Sequence, residues 1–210
     1  MKAGTCELAL TPIDGTSDTR GPTELQTAEC VRRARAGDQA AFGLLVERYE
    51  RMVLRTALRL LGQMDQAQDA AQDTFLRMHR YLGRFDESRD LGPWLYRVVV
   101  NASRDIARRQ ASTRFLSLDA VRQSDDAATR IGPEEIEDGV FRAEQGRLVQ
   151  AALDTLPRKE RAAVVLRDIE GLATAEVARI LGSSEGTVRS QISTARLKIK
   201  RFVEAQERRR

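Results

Sequence analysis

Apolar residues recur every three or four positions from about Ala28 onward, whereas the residues before it show little periodicity and many turn-forming pairs. A spacing of three and four places apolar side chains on one face of a helix. In the first periodic stretch, which runs towards Leu61 and stops at Gly62, this face contains Phe42, Leu45, Val46, Tyr49 and Val53. The pattern predicts one long amphipathic helix, preceded by a disordered leader.

Two more helices are predicted before residue 110. The stretch from Asp65 to Leu82 repeats the helical spacing, and the charged segment from Gly83 to Gly92 interrupts it. Pro93 then stands where a helix can begin, because the first turn of a helix does not need the N–H that proline lacks. The periodicity resumes from Trp94 to Arg109. We therefore predict a helical bundle that ends near Gln110.

The second half of the chain predicts a smaller helical bundle. Residues from Gln110 to about Val140 include few large apolar groups, and a new periodic block starts near Glu144. This block is broken at Leu156-Pro157, at Gly171 and at Gly182. Proline and glycine at such positions end helices, so the block predicts about four short helices.

The composition agrees with a helical protein. Aromatic residues make up only 5% of the chain and charged residues 31%, which favours exposed amphipathic helices over sheet. We therefore predict an all-α fold with two small helical domains joined by a flexible linker. The predicted divisions are a disordered leader (residues 1–27), a first domain (28–110), an acidic flexible linker (111–143), a second domain (144–203) and a basic tail (204–210).

The charge distribution changes this picture more than the total charge does. The formal net charge is +4, which is compatible with a polyanionic partner but too small to identify one. Between Ser117 and Val140 the chain has seven acidic residues and two arginines, a net charge of −5. The excess positive charge is therefore concentrated in the two predicted domains.

Several classes of function find no support in the sequence. Cys6 and Cys30 do not form a CxxC pair and have no histidine nearby, so neither a disulfide framework nor a zinc site is indicated. His79 has no other metal-ligating residue near it in the sequence, and no catalytic nucleophile, glycine-rich phosphate loop or metal-binding cluster is recognisable. No stretch is apolar enough for a membrane span or a signal sequence. We expect a cytoplasmic protein that is not an enzyme and needs no cofactor.

The most informative local pattern lies between Thr174 and Lys200. Two short helices are predicted on either side of Gly182, which can supply a left-handed turn. On the second helix an apolar stripe contains Val188, Ile192, Ala195 and Ile199, and an adjacent polar stripe contains Arg189, Ser193, Arg196 and Lys200. This arrangement matches a helix-turn-helix, although a solvated helical hairpin shows the same pattern.

In a helix-turn-helix, the second helix enters the major groove of DNA, which is about 12 Å wide and favours small residues at the contact. An arginine there can pair with guanine through two hydrogen bonds, and further basic residues supply phosphate contacts that do not depend on sequence. The candidate DNA-contacting residues are Ser184, Gly186, Thr187, Arg189, Ser190, Ser193 and Arg196. We expect Arg189 to contact guanine.

Four segments of the second domain form a connected pattern: Leu156-Pro-Arg-Lys-Glu-Arg, Val165-Leu-Arg-Asp-Ile-Glu-Gly-Leu, Glu176-Val-Ala-Arg-Ile-Leu-Gly and Gly186-Thr-Val-Arg-Ser. Together they resemble region 4 of bacterial sigma factors of the extracytoplasmic-function (ECF) group. The resemblance implies that this domain binds the minus-thirty-five promoter element as duplex DNA. Many relatives carry arginine where this chain has Gln191 and Thr194, which implies a distinct upstream sequence.

The first domain supplies an independent match. Asp69-Ala-Ala-Gln-Asp-Thr-Phe-Leu-Arg resembles the polymerase-binding helix of sigma region 2, and Pro93-Trp-Leu-Tyr-Arg-Val-Val-Val-Asn-Ala-Ser-Arg-Asp resembles its promoter-melting helix. The residues that this resemblance implies for docking on core RNA polymerase are Asp69, Gln72, Asp73 and Phe75. The alternative for the same residues is an acidic face exposed only to solvent.

The resemblance also implies that the first domain recognises and melts the minus-ten element. Holding an extruded base requires a positive groove together with a pocket or an aromatic platform. The residues that would provide them are Arg84, Arg89, Trp94, Arg97, Asn101, Arg104 and Arg108. A single tryptophan beside Leu95 and Val98 is also typical of a core, so both roles remain open for Trp94.

The two matches together imply a sigma factor, a subunit that binds core RNA polymerase and directs promoter-specific transcription initiation. The implied partners are core RNA polymerase, promoter DNA as duplex and as melted single strand, and an anti-sigma factor that controls the protein in a stress or envelope response. Two other functions share parts of this pattern. They are an autonomous repressor that binds DNA without polymerase, and an interaction protein that only sequesters polymerase.

Overall fold

The computed structural model describes residues 24–86, 89–116 and 146–208, and it describes side chains at 27–86, 89–111 and 146–208. All regular structure among these residues is helical. The first four helices are α1 (Glu24–Arg35), α2 (Gln39–Leu61), α3 (Met64–Tyr81) and α4 (Leu91–Leu116), with a 3₁₀ turn at Leu82–Arg84. The predicted all-α fold is confirmed.

Helix α2 has residues at both ends that stabilise it. The Asp38 carboxylate accepts a hydrogen bond from the Ala41 N–H (3.1 Å), which satisfies a donor that the helix itself leaves free. Gly62 ends the helix with φ of +79°, and its N–H donates to the Leu58 carbonyl oxygen (2.7 Å). The predicted stop at Gly62 is therefore confirmed.

The first bundle, formed by α1 to α4, has two adjoining apolar clusters. The first cluster consists of Cys30, Val31, Leu45, Met78, Leu82, Phe85, Leu91 and Leu95. The second cluster consists of Val53, Ala57, Ala67, Ala70, Ala71, Val99, Ala102 and Ile106. Most of the second set are alanines, so α2, α3 and α4 can approach one another closely there.

The first bundle extends beyond its predicted boundaries at both ends. Helix α1 begins at Glu24, inside the predicted leader, because contacts of Cys30 and Val31 fix this helix against α2. Helix α4 begins at Leu91 and continues to Leu116, past the predicted end near residue 110. The remaining leader residues (1–23) and most of the predicted linker (117–143) lie outside the described residues.

The second bundle follows residue 145. Its first helix, α5, is described over residues 146–154. The elements after it are α6 (Arg158–Val164), a π-helical turn (Val165–Ile169), α7 (Thr174–Leu181) and α8 (Glu185–Glu207). The predicted breaks at Pro157, Gly171 and Gly182 are confirmed, and α8 includes residues that were predicted to form a basic tail.

The two bundles pack against each other, a contact that the sequence analysis did not predict. Helix α7 lies against α4, and α6 and the π-helical turn contact α2. The apolar cluster at this contact consists of Val100 from the first bundle and Ala163, Leu166, Val177, Ala178, Ile180, Val188 and Ile192 from the second, with Leu60 and Tyr96 at its edge. The two domains therefore share a core in this structure.

Leu95 provides a test of the first cluster, in which it is fully buried. Leu95→Ala is expected to lower the free energy of unfolding by about 2–5 kcal/mol, because apolar burial is lost and a cavity remains. Urea denaturation measures the difference. Leu44→Ala is the matched control, since Leu44 is 49% exposed, and should cost less than about 1 kcal/mol. Similar losses for the two substitutions would contradict the assigned core.

Candidate nucleic-acid interface

Helices α7 and α8 meet at a tight turn. Gly182 ends α7 with φ of +64°, a left-handed conformation that other residues adopt only with strain. The Ser184 hydroxyl accepts a hydrogen bond from the Thr187 N–H (3.1 Å) and caps α8. The buried side chains between the two helices include Val177, Ile180, Val188 and Ile192. The structure therefore has the two-helix arrangement that the sequence predicts.

The outward face of α8 is exposed from its first turn. All the residues predicted to contact DNA are exposed: Ser184, Gly186, Thr187, Arg189, Ser190, Ser193 and Arg196. Five of these seven residues are glycine, serine or threonine. Their short side chains leave this face of α8 narrow enough for its backbone to come close to the base edges in a major groove. The two arginines are the long side chains of this set.

Both arginines of this face are paired with carboxylates. Arg189 donates a hydrogen bond to Glu185, one turn earlier on α8, at 2.6 Å. Arg196 donates two hydrogen bonds to Asp168 in the π-helical turn, at 2.6 and 2.8 Å, and these bonds raise the pKa of Arg196. Exposed ion pairs contribute little free energy. A phosphate or a base edge can therefore replace either carboxylate at low cost.

A second basic surface lies along α4. Arg97, Asn101, Arg104 and Arg108 follow one another at spacings of four, three and four, which places them on one face of the helix. Arg97 and Arg108 are exposed, whereas Asn101 and Arg104 are half-buried. The structure therefore brings these four predicted melting residues together on a single helix.

The other predicted melting residues lie in the segment before α4 and at its start. Arg84 is exposed in the 3₁₀ turn, and Arg89 pairs with Asp86 (3.1 Å). Trp94 is half-buried and packs against the first cluster, with its ring edge-on to Phe85 at a centroid distance of 5.5 Å. Such packing is typical of a core tryptophan. A stacking role for Trp94 on a melted base stays a prediction.

The predicted polymerase-docking residues lie on α3 with different degrees of exposure. Asp69 and Gln72 are exposed, whereas Phe75 is half-buried and packs against both clusters of the first bundle. Leu76, which the sequence analysis missed, is 61% exposed. At four residues after Gln72 it lies on the same face of the helix. The sequence signal for an exposed Leu76 is its position directly after Phe75: consecutive helical residues point about 100° apart, so a leucine next to an inward-facing residue can point outward.

Asp73, the remaining docking candidate, belongs to an ion-pair network. It accepts a hydrogen bond from Arg77 at 2.7 Å, and Arg77 also donates to Asp105 of α4 at 2.9 Å. Burial acts to lower the pKa of Arg77, but the bonds to Asp105 and Asp73 outweigh it and raise that pKa. The network fixes Asp73 at the junction of α3 and α4.

Membrane-spanning helices and accessible thiols are two further kinds of functional feature. No helix in the described part of the chain is long and apolar enough to cross a membrane. Cys30 is a free thiol, 9% exposed, in the first cluster, and Cys6 lies outside the described residues. Exposed polar side chains line α3, α4 and α8 in the described part of the chain.

Two protein families match separate parts of the chain. Sigma-70 region 2 matches residues 45–113, and Sigma-70 region 4 matches residues 146–199. The chain is 35% identical over 183 residues to the ECF RNA polymerase sigma factor SigM of Mycobacterium tuberculosis, which covers 87% of each protein. The chain belongs to the ECF sigma factors. The resemblance seen in the sequence is confirmed.

Other relatives agree with this assignment. The sigma factor is 33% identical over 178 residues to the RNA polymerase sigma-H factor of Pseudomonas aeruginosa, covering 83% of this chain and 92% of that protein. A solved structure of CnrH in complex with the cytosolic domain of CnrY aligns with a TM-score of 0.61 and 29% identity, covering 86% of this chain and 98% of that chain. The region 2 match falls in the first bundle and the region 4 match in the second. The contact between the bundles is therefore a contact between sigma regions 2 and 4.

The cap of α8 can be tested by removing one hydroxyl. Ser184→Ala eliminates the acceptor for the Thr187 N–H and is expected to lower the free energy of unfolding of the second bundle by about 1 kcal/mol. Thermal denaturation followed by circular dichroism measures the loss. Ser183→Ala is the matched control, because the cap is Ser184, and should change the stability by less than about 0.5 kcal/mol. If both substitutions had the same effect, the cap would contribute nothing.

Proposed function

We propose that this sigma factor binds a promoter with both bundles at the same time. Region 2 would bind core RNA polymerase and the melted minus-ten element, while region 4 would bind the minus-thirty-five element as duplex DNA. The observation that carries the proposal is the exposed face of α8, where small residues surround Arg189. Two linked binding modules raise each other's effective concentration, so weak binding at each element combines into a high overall affinity for the promoter.

Recognition of the upstream element is assigned to the first turns of α8. Arg189 lies one turn after the capped N-terminus, where the residues of a recognition helix approach base edges. Its guanidinium group can donate to O6 and N7 of a guanine once the base edge has displaced Glu185, the carboxylate that it contacts in this structure. Arg196, two turns further along, would contact a phosphate.

Arg189→Ala is expected to reduce discrimination of the preferred minus-thirty-five guanine by about tenfold or more, because a bidentate base contact is lost. Binding to core polymerase should not change. The measurement is competition between the preferred and a substituted promoter for holoenzyme. Arg179→Ala is the matched control, since Arg179 is an exposed arginine of α7 whose carboxylate neighbour is Glu176 at 4.0 Å. Unaltered discrimination in Arg189→Ala would refute the assigned contact.

Docking on polymerase is assigned to the outward face of α3. Asp69, Gln72 and Asp73 offer carboxylate and amide groups to a basic helical partner, and Phe75 supports them from within the bundle. Leu76 adds an exposed apolar side chain to the same face. An apolar side chain surrounded by polar ones is typical of the centre of an interface.

Promoter melting is assigned to the basic face of α4. Arg97, Asn101, Arg104 and Arg108 form a positive stripe along which a single strand can lie. Arg84 and Arg89 precede this helix and would extend the stripe towards its N-terminus. Trp94 is the candidate platform for an extruded base.

Control by an anti-sigma factor is part of the proposal. The related CnrH has been solved in complex with the cytosolic domain of CnrY. By analogy, a protein partner would clamp both regions of this sigma factor and cover their binding faces. We assign the chemistry of RNA synthesis to the polymerase, and we place the sigma factor with it in the cytoplasm.

In vitro transcription tests the proposed function directly. Core RNA polymerase, genomic DNA and this sigma factor are expected to give specific transcript starts that are absent without it. An autonomous repressor would instead bind DNA tightly without polymerase and give no new starts. A sequestering protein would bind core polymerase and reduce transcription. Either of these results would refute the proposed function.

A further inference from the structure

One carboxylate of the second bundle makes several hydrogen bonds to the first. The side chain of Glu170, which follows the π-helical turn of region 4, is only 9% exposed. Its Oε1 accepts hydrogen bonds from Arg59 (2.7 Å) and Thr56 (3.2 Å), and its Oε2 accepts one from the Tyr96 hydroxyl (2.8 Å). All three donors lie on α2 and α4 of region 2. One side chain of region 4 therefore binds three groups of region 2.

The π-helical turn positions this carboxylate. The Glu170 N–H donates to the Val165 carbonyl oxygen, five residues earlier, at 2.9 Å. A π-turn contains one residue more than an α-helical turn and so rotates the residues after it. Asp168 in the same turn pairs with Arg196 of α8. The turn therefore directs one carboxylate to region 2 and another to the recognition helix.

The region 2 side of the contact is suited to hold an anion. Burial, followed by the hydrogen bond to Glu170, raises the pKa of Tyr96, so the hydroxyl stays protonated and able to donate at neutral pH. The Arg59 side chain is 24% exposed, which makes its bond to Glu170 less screened by water than a surface pair. A hydrogen bond to a partly desolvated charge is stronger than one between neutral groups.

A second polar contact lies where α2 ends. Arg161 of α6 donates to the Leu60 carbonyl oxygen (3.1 Å) and pairs with Asp154 (3.0 Å). Gly62 leaves the space for this contact, because a Cβ at that position would lie 2.8 Å from the Asp154 Oδ1. Burial lowers the pKa of Arg161. Arg158 of the same helix donates to the Ala107 carbonyl oxygen of α4 (3.1 Å), so polar groups other than Glu170 also join regions 2 and 4.

The joined arrangement is too small to reach both promoter elements. The residues that the structure describes number about 150, and a compact body of that size has a radius of gyration near 15 Å and is roughly 40 Å across. Elements centred near minus ten and minus thirty-five are roughly 85 Å apart along B-form DNA. Regions 2 and 4 must therefore separate before both elements are bound.

We propose that Glu170 is a latch that keeps regions 2 and 4 closed on each other in the free sigma factor and is released when the promoter complex forms. This inference rests on the proposed joint grip of both elements. A form that is only partly populated binds with an apparent affinity reduced by its population. The latch therefore limits promoter binding by the free chain and keeps it dependent on polymerase.

Two substitutions release the latch from opposite sides. Glu170→Gln keeps the shape of the side chain but removes its charge, and Tyr96→Phe removes one donor from region 2. Each is expected to raise the ratio of open to closed chains by about tenfold, the effect of losing a hydrogen bond to a charged group. The matched controls are Glu176→Gln and Tyr49→Phe. The Glu176 carboxylate faces Arg179 within α7, and the Tyr49 ring packs inside region 2, so neither side chain belongs to the latch.

Single-molecule energy transfer measures this ratio in the free chain. Dyes are attached at Arg51→Cys and Ala175→Cys, exposed positions of α2 and α7, after Cys6→Ser and Cys30→Ala. The parent chain and both controls are expected to show high transfer, and both latch variants a larger low-transfer population. A parent chain that already shows low transfer, or latch variants that match it, would overturn the proposal. If one variant does not fold, the other decides the result.

The rate of promoter-complex formation with core polymerase tests the regulatory consequence. Both latch variants are expected to form the complex up to about tenfold faster than the parent chain. Equal rates in variants that show opening would overturn the role of the latch in control. Failure of every form to bind core polymerase would instead refute the proposed function, while the transfer measurement would still decide whether Glu170 joins the regions.

Discussion

Each bundle of this sigma factor retains an apolar face after its own helices have packed, and in the free chain the two faces cover each other. Val100 of α4 is 1% exposed and belongs to the same apolar cluster as Leu166 and Val177 of region 4. A small domain buries only part of the apolar surface that its sequence supplies. The contact between the regions therefore follows from their size as well as from their specific hydrogen bonds.

This constraint connects the fold to the proposed activity. Val100, which belongs to the core shared with region 4, lies beside the basic face of α4: Arg97 and Arg108 are exposed in the closed form, whereas Arg104, four residues after Val100, is half-buried. The outward face of α8 is likewise exposed in the closed form. In the proposed mechanism, closure leaves the candidate DNA-contacting residues of α8 exposed but holds regions 2 and 4 too close together to bind both promoter elements. Binding energy from polymerase and from both promoter elements must offset the loss of the shared core.

Local structure could be predicted well from the sequence, because it depends on neighbours along the chain. The stops at Gly62 and Gly182 and the amphipathic faces of α2 and α8 follow from residue type and spacing. The latch could not be predicted in this way. Glu170 and Tyr96 are 74 residues apart, and periodicity shows which side of a helix is buried but not what covers it. Val99 and Val100 illustrate this limit, because adjacent positions face two different cores.

The central claim, that regions 2 and 4 are joined through Glu170 in the free chain and part on the promoter, can be tested by a zero-length crosslink. Arg59→Lys places an amine beside the Glu170 carboxylate, and a carbodiimide couples such a pair into an amide only while the two groups are in contact. Mass spectrometry of the peptide that joins positions 59 and 170 measures the yield. The account predicts a high yield in the free sigma factor and little in the complex with core polymerase and promoter DNA. A negligible yield in the free chain, or the same yield in both states, would contradict it.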